Sequence, residues 1–368
     1  MAALIRSAFL IVCVAALVDS GHAASMAKPQ FRYQYKLTRD AKLDSWIVLL
    51  KNSRYVENVL DILDAQFKFP RQLQVQIKGC KAVNAFYSPR HGRITLCAEL
   101  LAHFEALFRR GLTTHHPVCS SARGCPDLDA RVRDWVLATT TFALWHEMGH
   151  AFVHEFRLPA LGREEDVADQ LSVYVANMGD SKNPNSALVK TLKGAVYWFG
   201  DKHTKHLKNK TFDWHGHHSL DAVRRTNVAC WAIGKSPKTL SKWAKTIPTR
   251  RRARCPKEWR KLKRAFDTLL KPHRFNKKIT KARFAANSAK RRTIAQRAQK
   301  LAKSCRGVAK RYARRLKQAK FKDKTIAKRL LKHFLHTCLM DVWTPANTSC
   351  AKRAMGLKQV HRCLGLVQ

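Results

Sequence analysis

The sequence predicts an α+β protein that is predominantly helical, with a small antiparallel sheet and a basic helical extension at its C-terminal end. Apolar residues recur at helical spacing along most of the chain, which favours helices. Two short segments, residues 72–78 and 93–97, alternate polar and apolar residues as strands do. Residues 241–340 hold 35 Lys or Arg and three acidic residues, which sets this part of the chain apart. Of the 368 residues, 45% are hydrophobic, enough for a sizeable core.

The N-terminus has the layout of a secretory signal peptide. Arg6 precedes an apolar run over residues 8–18, and the small residues Ala23 and Ala24 suit a cleavage site. The apolar run is too short to span a bilayer, and no later run reaches the length that a transmembrane helix needs. We therefore expect residues 1–24 to be removed and the mature protein to be exported, either to the periplasm or as a secreted protein.

Helices are predicted where apolar residues recur every three or four positions, and loops where Pro, Gly and polar residues interrupt that pattern. Residues 25–40 are polar and predicted to be extended, and residues 84–92 are predicted to form the loop between the two strands. Pro159 and Gly162 are predicted to separate two helices in the middle of the chain. The predicted helices cover residues 41–68 (as one helix or two), 99–110, 128–156, 163–178, 189–199 and 219–233, and the helical pattern resumes at residue 257.

Ten cysteines follow the signal segment, an even number that predicts disulfides in an exported chain. Cys80 and Cys97 belong to the two predicted neighbouring strands, and Cys119 and Cys125 flank a short turn in a predicted loop over residues 111–128, so proximity suggests these two pairs. None of the ten stands in a C-x-x-C pair, which argues against a cysteine zinc site. No pairing is predicted for the C-terminal cysteines Cys305, Cys338, Cys350 and Cys363.

The predicted helix over residues 128–156 carries the sequence His-Glu-Met-Gly-His, a match to H-E-x-x-H. Residues four apart share one face of a helix, so His146 and His150 can bind the same metal ion. Glu147 would then lie beside the ion, placed to take a proton from a water molecule. The alternative for the motif alone is a core helix with two hydrogen-bonded histidines.

A zinc ion held by two histidines needs a third protein ligand. His154 is one turn beyond His150, but a straight helix carries it away from an ion bound by the first pair. The metzincin pattern is excluded, because Val153 and Phe156 stand where that pattern requires Gly and His. The third ligand is therefore sought in the next predicted helix.

Glu164, Glu165 and Asp166 begin that helix. Glu165 is favoured because Asp169 follows it four residues later on the same face. Asp169 could accept a hydrogen bond from the outer ring nitrogen of a histidine ligand and so fix its orientation. The alternative is that these acidic residues only interact with the positive end of the helix dipole.

The spacing H-E-x-x-H followed by E-x-x-x-D resembles that of the gluzincin metallopeptidases, in which this glutamate is the third zinc ligand. The chain is more closely similar to a bacterial family known only as metallopeptidases with no assigned function. The resemblance covers about residues 55–272. The matching segments are Asn84–Tyr87, His146–His150, Leu161–Asp169, His218–Asp221 with Arg224 and Asn227, Cys230–Gly234 and Arg254–Pro256.

The resemblance implies a gluzincin-like zinc hydrolase domain, which we assign to residues 25–272. Gluzincins commonly use a downstream histidine to bind the oxyanion of the tetrahedral intermediate. His218 would take that role here, with Asp221 near enough to orient it. The alternative is a histidine that only caps the helix or lies on the surface. The resemblance also implies a disulfide between Cys230 and Cys255. The implied Zn²⁺ ligands are His146, His150 and Glu165.

Two hypotheses about function follow, and they are compatible. The first is an exported zinc-dependent metallopeptidase in which Glu147 activates water for attack on a peptide bond of a peptide or protein. The second is a polyanion-binding protein with a structural or inactive metal site. Residues 241–340 would then bind nucleic acid, lipopolysaccharide or an acidic cell-wall polymer. The basic extension, residues 273–368, lies outside the resemblance, and its scarcity of aromatic residues argues against base stacking.

Overall fold

The structure is a computed structural model that describes residues 30–115, 127–178 and 186–289, with a few isolated positions between residues 292 and 314. Within these residues the chain is mostly helical and contains one small sheet, as the α+β prediction requires. The strands are β1 (Phe31–Tyr35), β2 (Leu73–Lys78), β3 (Ala85–Ser88) and β4 (Arg93–Cys97). The helices are α1 (Ala41–Ser53), α2 (Tyr55–Gln66), α3 (Ala98–His115), α4 (Leu128–Glu155), α5 (Glu164–Ala176), α6 (Ala187–Asn209), α7 (Asp221–Lys235), α8 (Ser241–Ala244), α9 (Thr249–Arg252) and α10 (Cys255–Leu270), and residues 277–289 are also helical.

The sheet has four strands in the order β1-β2-β4-β3, and it is mixed. The predicted antiparallel pairing of residues 72–78 with residues 93–97 is wrong, because β2 and β4 are parallel neighbours. The predicted loop between them contains strand β3, which forms the antiparallel hairpin with β4. The chain therefore reverses twice between β2 and β4 and returns in its original direction. The buried face of β2, formed by Leu73, Val75 and Ile77, is as predicted.

Three other segments differ from the predictions in extent. Part of the predicted extended segment forms β1, which pairs in parallel with β2. The helix α3 continues into the predicted loop as far as His115, where the hydroxyls of Thr113 and Thr114 bond back to the backbone carbonyls of Arg109 and Arg110. The predicted short helix at residues 189–199 is the 23-residue α6. Helical spacing alone underestimated these two helices because their ends are polar.

Helix α4 is the central element of the fold. From Ala138 to Gly149 every residue is buried, and the burial continues almost to the end of the helix. A helix buried on all sides must be packed by other elements around its circumference. Helices α3, α5 and α6 and strand β3 surround α4. The H-E-x-x-H motif therefore lies in a part of the helix that neighbouring elements hold in place.

The crossing of α4 over α5 depends on a glycine. A Cβ atom placed on Gly149 would lie 2.7 Å from the Cα atom of Ala168 and 3.1 Å from its carbonyl oxygen. The two backbones can approach this closely only because neither residue has a large side chain. The predicted break at Pro159 and Gly162 lies between the two helices, which end and begin at Glu155 and Glu164.

Two disulfides fasten the fold as predicted. One joins Cys80 to Cys97 at the ends of two parallel strands, and the other joins Cys230 in α7 to Cys255 at the start of α10. The predicted signal peptide and the pair Cys119 and Cys125 lie outside the described residues, as do most of the extension and its other cysteines, Cys305, Cys338, Cys350 and Cys363. Of the helices that the structure describes, none has the length and apolarity that crossing a membrane would take.

The first part of the basic extension packs against the rest of the protein. The guanidinium of Arg283 is buried and donates hydrogen bonds of 2.9 Å to the side chain and the backbone carbonyl of Asp64 in α2. Arg274 lies over the ring of Phe67 and hydrogen-bonds to the hydroxyl of Tyr174 in α5. The domain boundary at residue 272 stays a prediction from the sequence.

We predict that Gly149→Ala lowers the free energy of unfolding by about 1 kcal/mol, and by no more than about 2 kcal/mol. Helix propensity favours Ala over Gly by about 1 kcal/mol, but overpacking against backbone atoms that cannot rotate away costs about 1–3 kcal/mol, with displacement of α5. Urea unfolding followed by circular dichroism measures the change. Gly162→Ala is the matched control, since no atom lies within 4 Å of its Cβ position. An equal effect of the two substitutions would contradict the close packing of α4 on α5.

Candidate metal centre

The site lies where α4 crosses the first two turns of α5. His146 and His150 lie on the face of α4 that meets α5, and Glu165 reaches back from α5 toward both rings. The ligand atoms that these three residues offer all lie within 4.8 Å of one another. The structure thus brings together the three residues that the sequence predicted as metal ligands.

The separations between these atoms suit a metal ion. Glu165 Oε2 lies 2.9 Å from His146 Nε2 and 3.5 Å from His150 Nε2. Ligand atoms around a tetrahedral ion with bonds of about 2.0–2.1 Å are separated by about 3.3 Å. Two imidazole nitrogens and a carboxylate oxygen at this spacing can bind one divalent metal, with a fourth position for water.

The outer nitrogen of each histidine meets a carboxylate. His146 Nδ1 lies 2.9 Å from Asp169 Oδ1, and His150 Nδ1 lies 2.6 Å from Glu164 Oε1. Such contacts fix the orientation of metal-binding imidazoles and leave Nε2 facing the ion. Asp169 therefore lies where the sequence predicted. Glu164, which the sequence suggested as a possible ligand, instead contacts the outer ring nitrogen of His150. Its carboxylate also lies 3.3 Å from Nε2 of the half-exposed His154.

Asp169 is held from its other side by Arg224 of α7. The guanidinium donates two hydrogen bonds, from Nε to Oδ2 at 2.7 Å and from Nη2 to Oδ1 at 2.8 Å. Both side chains are buried, and the guanidinium lies 4.2 Å from the ring centroid of Phe199. No role was predicted for Arg224 from the sequence, although it stands in a segment of family resemblance. The ion pair orients Asp169, which in turn orients His146.

The electrostatics of the cluster favour a positive charge between the rings. Burial opposes ionisation of Glu165 and Asp169, yet hydrogen bonds from the histidines, and Arg224 beside Asp169, hold the pKa of both carboxyls well below their usual values. Burial likewise opposes protonation of His146, but hydrogen bonds to the two carboxylates raise the pKa of its ring to about 9. A bound cation would supply the positive charge that these carboxylates stabilise.

Glu147 stands beside the cluster without belonging to it. Its side chain is buried, and burial raises the pKa of the carboxyl, with opposing contributions from His146 and His150. The backbone of Tyr87 in β3 also opposes this rise of the pKa. Glu147 also lines the cleft described next. The carboxylate can therefore exchange a proton with a molecule bound in that cleft.

A cleft of about 380 Å³ opens over the cluster. One wall is the β3 region, residues 83–87, and β3 is at the edge of the sheet. Further apolar side chains line the cleft, and the partly exposed side chains of Lys202 and His218 lie where it opens to solvent. The apolar lining residues outside β3 are Leu100, Phe142, Ala143 and Trp198.

His218 lies at the mouth of the cleft. Its Nε2 atom lies 2.8 Å from Glu165 Oε2, and its ring stacks on that of His146 at 5.9 Å between centroids. The side chain is about half exposed. Asp221, which the sequence suggested as its orienting partner, instead has its carboxylate within 3.5 Å of Lys202 and His206 of α6. That side chain points toward α6 because α7 begins at Asp221 and packs along α6.

A clamp that the sequence did not reveal holds β3 over the site. The hydroxyl of Tyr87 donates to Glu155 Oε1 at 2.5 Å, and Arg71 binds both oxygens of the same carboxylate. Although burial opposes it, these hydrogen bonds lower the pKa of Glu155. Tyr87 belongs to a segment of family resemblance, but its partners come from distant parts of the chain. No local pattern connects them.

We predict that Asp169→Asn lowers divalent-metal affinity by about 10–100-fold, the usual effect of removing an outer partner of a histidine ligand. The amide keeps the shape of the side chain but removes the charge that His146 and Arg224 share. Competition with a chromophoric chelator measures the affinity, on protein shown to be folded by circular dichroism. Asp166→Asn is the matched control, since Asp166 bonds to Ser219 and to no histidine in the described residues. Equal affinities for the two variants would contradict the role of Asp169.

Comparison with known proteins gives a family match. The sequence model of a family described as "Putative metallopeptidase" matches residues 35–270, well over half of the chain and all of the metal cluster. No curated protein and no solved structure matches the chain. A metallopeptidase family implies a bound metal, in agreement with the cluster on α4 and α5.

Proposed function

The chain belongs to the family described as "Putative metallopeptidase", and from that premise we propose that it is an exported zinc-dependent peptidase with a gluzincin-like centre. The observation that carries the proposal is the convergence of two imidazoles and one carboxylate within 4.8 Å, beside a buried glutamate. Two histidines and a glutamate are the donor set of catalytic zinc in several peptidases. The two disulfides support a mature protein outside the reducing cytoplasm.

His146, His150 and Glu165 would hold the ion, and Asp169 and Glu164 would keep the two rings in place. Zinc bound there would supply Lewis acidity, lowering the pKa of water and polarising a carbonyl group. Glu147 acts as the general base: its carboxylate takes a proton from the attacking water as the oxygen bonds to the peptide carbon. The same carboxyl then passes that proton to the amine nitrogen as the C–N bond breaks. No residue is consumed in the cycle.

The position of β3 at the edge of the sheet is an argument for a peptide as the substrate. Among the described strands β3 pairs with β4 alone, and residues 83–87 line the cleft. An extended peptide can add to such an edge through backbone hydrogen bonds, which would bring its carbonyl groups past the metal centre. The clamp from Tyr87 to Glu155 would keep the edge in position. The apolar lining residues outside β3 would receive a substrate side chain.

His218 is the proposed donor to the oxyanion of the tetrahedral intermediate. Support comes from its place at the mouth of the cleft, its exposure and its contact with Glu165. With the ion in place, Glu165 would bind the metal, and the His218 ring could turn to a substrate carbonyl. The contact of Asp221 with Lys202 and His206 leaves His218 without the orienting partner suggested by the sequence.

We predict that Glu147→Gln lowers peptide turnover by about two to four orders of magnitude, the usual effect of removing a general base, while zinc content is unchanged. Digestion of a peptide library by the mature protein, with metal analysis of the same sample, measures both. The protein is taken from the exported fraction, where its N-terminus should begin near residue 25. Asp134→Asn, on the exposed side of the same helix, is the control. Full activity in Glu147→Gln, or activity that survives chelation of the zinc, would overturn the mechanism.

We predict that His218→Ala lowers kcat by about 10²–10³-fold, as expected for loss of one oxyanion donor. KM and zinc content should change little, because His218 is not a ligand in the proposed centre. Steady-state kinetics on a peptide identified in the library gives the two constants separately. His217→Ala, its exposed neighbour, is the matched control. A fall in zinc content, or a rise in KM with no fall in kcat, would show that His218 has a different role.

A further inference from the structure

Helix α10 has one apolar face and one basic face. The apolar side chains, Trp259, Leu262, Phe266 and Leu270, are buried in the core, and the disulfide at Cys255 anchors the first turn. The opposite side exposes a set of four cations at helical spacing, which we call the α10 basic face. It consists of Lys257, Arg260, Lys261 and Arg264. With a rise of 1.5 Å per residue, this set extends over about 10 Å.

The positive charge of this surface is not neutralised locally. Among the described residues from 238 to 289, the acidic residues are Glu258 and Asp267, and each already has a cationic partner, Arg251 and Lys263 respectively. In this part of the chain none of the four cations of the α10 basic face forms an ion pair. Further exposed cations precede and follow them, namely Lys238, Lys242, Lys245, Arg250, Arg254, Lys271, Lys277, Lys278 and Lys281.

The composition of the surface indicates what it can bind. Helices that lie on membranes insert an apolar face into the lipid, but the apolar face of α10 is already buried in the core. Proteins that bind single strands stack bases on aromatic side chains, and the α10 basic face exposes none. A surface held rigid and bearing cations alone suits a water-soluble polymer with closely spaced phosphates. Duplex nucleic acid carries one charge per about 1.7 Å of axis, so 10 Å corresponds to about six phosphates.

We propose that the α10 basic face binds the phosphate backbone of duplex nucleic acid without reading its sequence. No residue of α10 lines the cleft over the metal centre, so the proposed binding surface and the cleft are formed by different residues. This binding does not depend on the proposed peptidase activity. A surface with interspersed positive and negative charges would be enough to keep the protein soluble. A surface that carries only positive charges also attracts polyanions, over a distance set by the salt concentration.

The test uses the full chain and a short fluorescent DNA duplex of mixed sequence. The variant K257Q/R260Q/K261Q/R264Q removes the four cations of the α10 basic face. The control R32Q/K36Q/R39Q/K42Q removes the same charge from exposed positions in and after β1. Fluorescence anisotropy across a salt series gives the slope of log K against log salt, which changes by about 0.9 for each phosphate contact. The α10 variant should bind more than tenfold more weakly at low salt, with a slope shallower by about three to four units.

The control and the charge-keeping variant K257R/R260K/K261R/R264K should bind the duplex as the unmodified protein does. Metal content and circular dichroism of each variant report folding, and all eight positions are exposed. If the α10 variant and the control lost affinity for the duplex equally, the proposal would be overturned, because binding would then depend on the net charge of the protein and not on this surface. A flat salt dependence would overturn it as well. So would binding to phosphatidylglycerol vesicles with no binding to the duplex, which would identify a lipid surface as the partner.

Discussion

The buried carboxylate of Asp169 is the point on which the structure around the site depends. It bonds to Arg224 of α7 on one side and to His146 of α4 on the other, and thereby joins three helices at one position. A buried charge is tolerated only when it is paired and hydrogen-bonded. Removing one partner of such a pair costs about 3–5 kcal/mol. The arrangement of α4, α5 and α7 and the orientation of a candidate ligand are therefore determined by the same interaction.

Helix α4 contributes residues both to the hydrophobic core and to the candidate metal site, because different faces of the helix meet different elements. Met148 and Phe152 pack into the core, while His146, Glu147 and His150 face α5 and the cleft. The α4–α5 crossing at Gly149 brings the carboxylates of α5 within hydrogen-bonding distance of the imidazoles. A site built on two tightly packed helices is held more precisely than one built on loops. The β3 clamp extends this rigidity to the opposite wall of the cleft.

The protein combines a cluster of carboxylates with a strongly basic surface. The formal net charge is +46, yet Glu147 follows His146 directly in the sequence, and Glu164, Glu165 and Asp169 lie within hydrogen-bonding distance of the histidines. Burial reduces screening by water and salt, so these carboxylates govern their immediate surroundings. Exposed cations such as those of α10 act at longer range and respond to ionic strength. Metal chemistry in the cleft and polyanion binding on α10 are therefore physically compatible in one chain.

The family resemblance implied the disulfide between Cys230 and Cys255. Local spacing in the sequence was enough to predict most of the helices, the buried face of β2, the disulfide between Cys80 and Cys97, and a cluster made of His146, His150 and Glu165. These features follow from the periodicity of helices and strands, which fixes residues a few positions apart on one face. The tertiary structure alone decided that β2 and β4 are parallel, that Arg224 pairs with Asp169, and that Asp221 turns to α6. The direction of a strand depends on the path of its connections, and the partner of a buried charge depends on which distant helix packs beside it. Neither is encoded in the spacing of neighbouring residues.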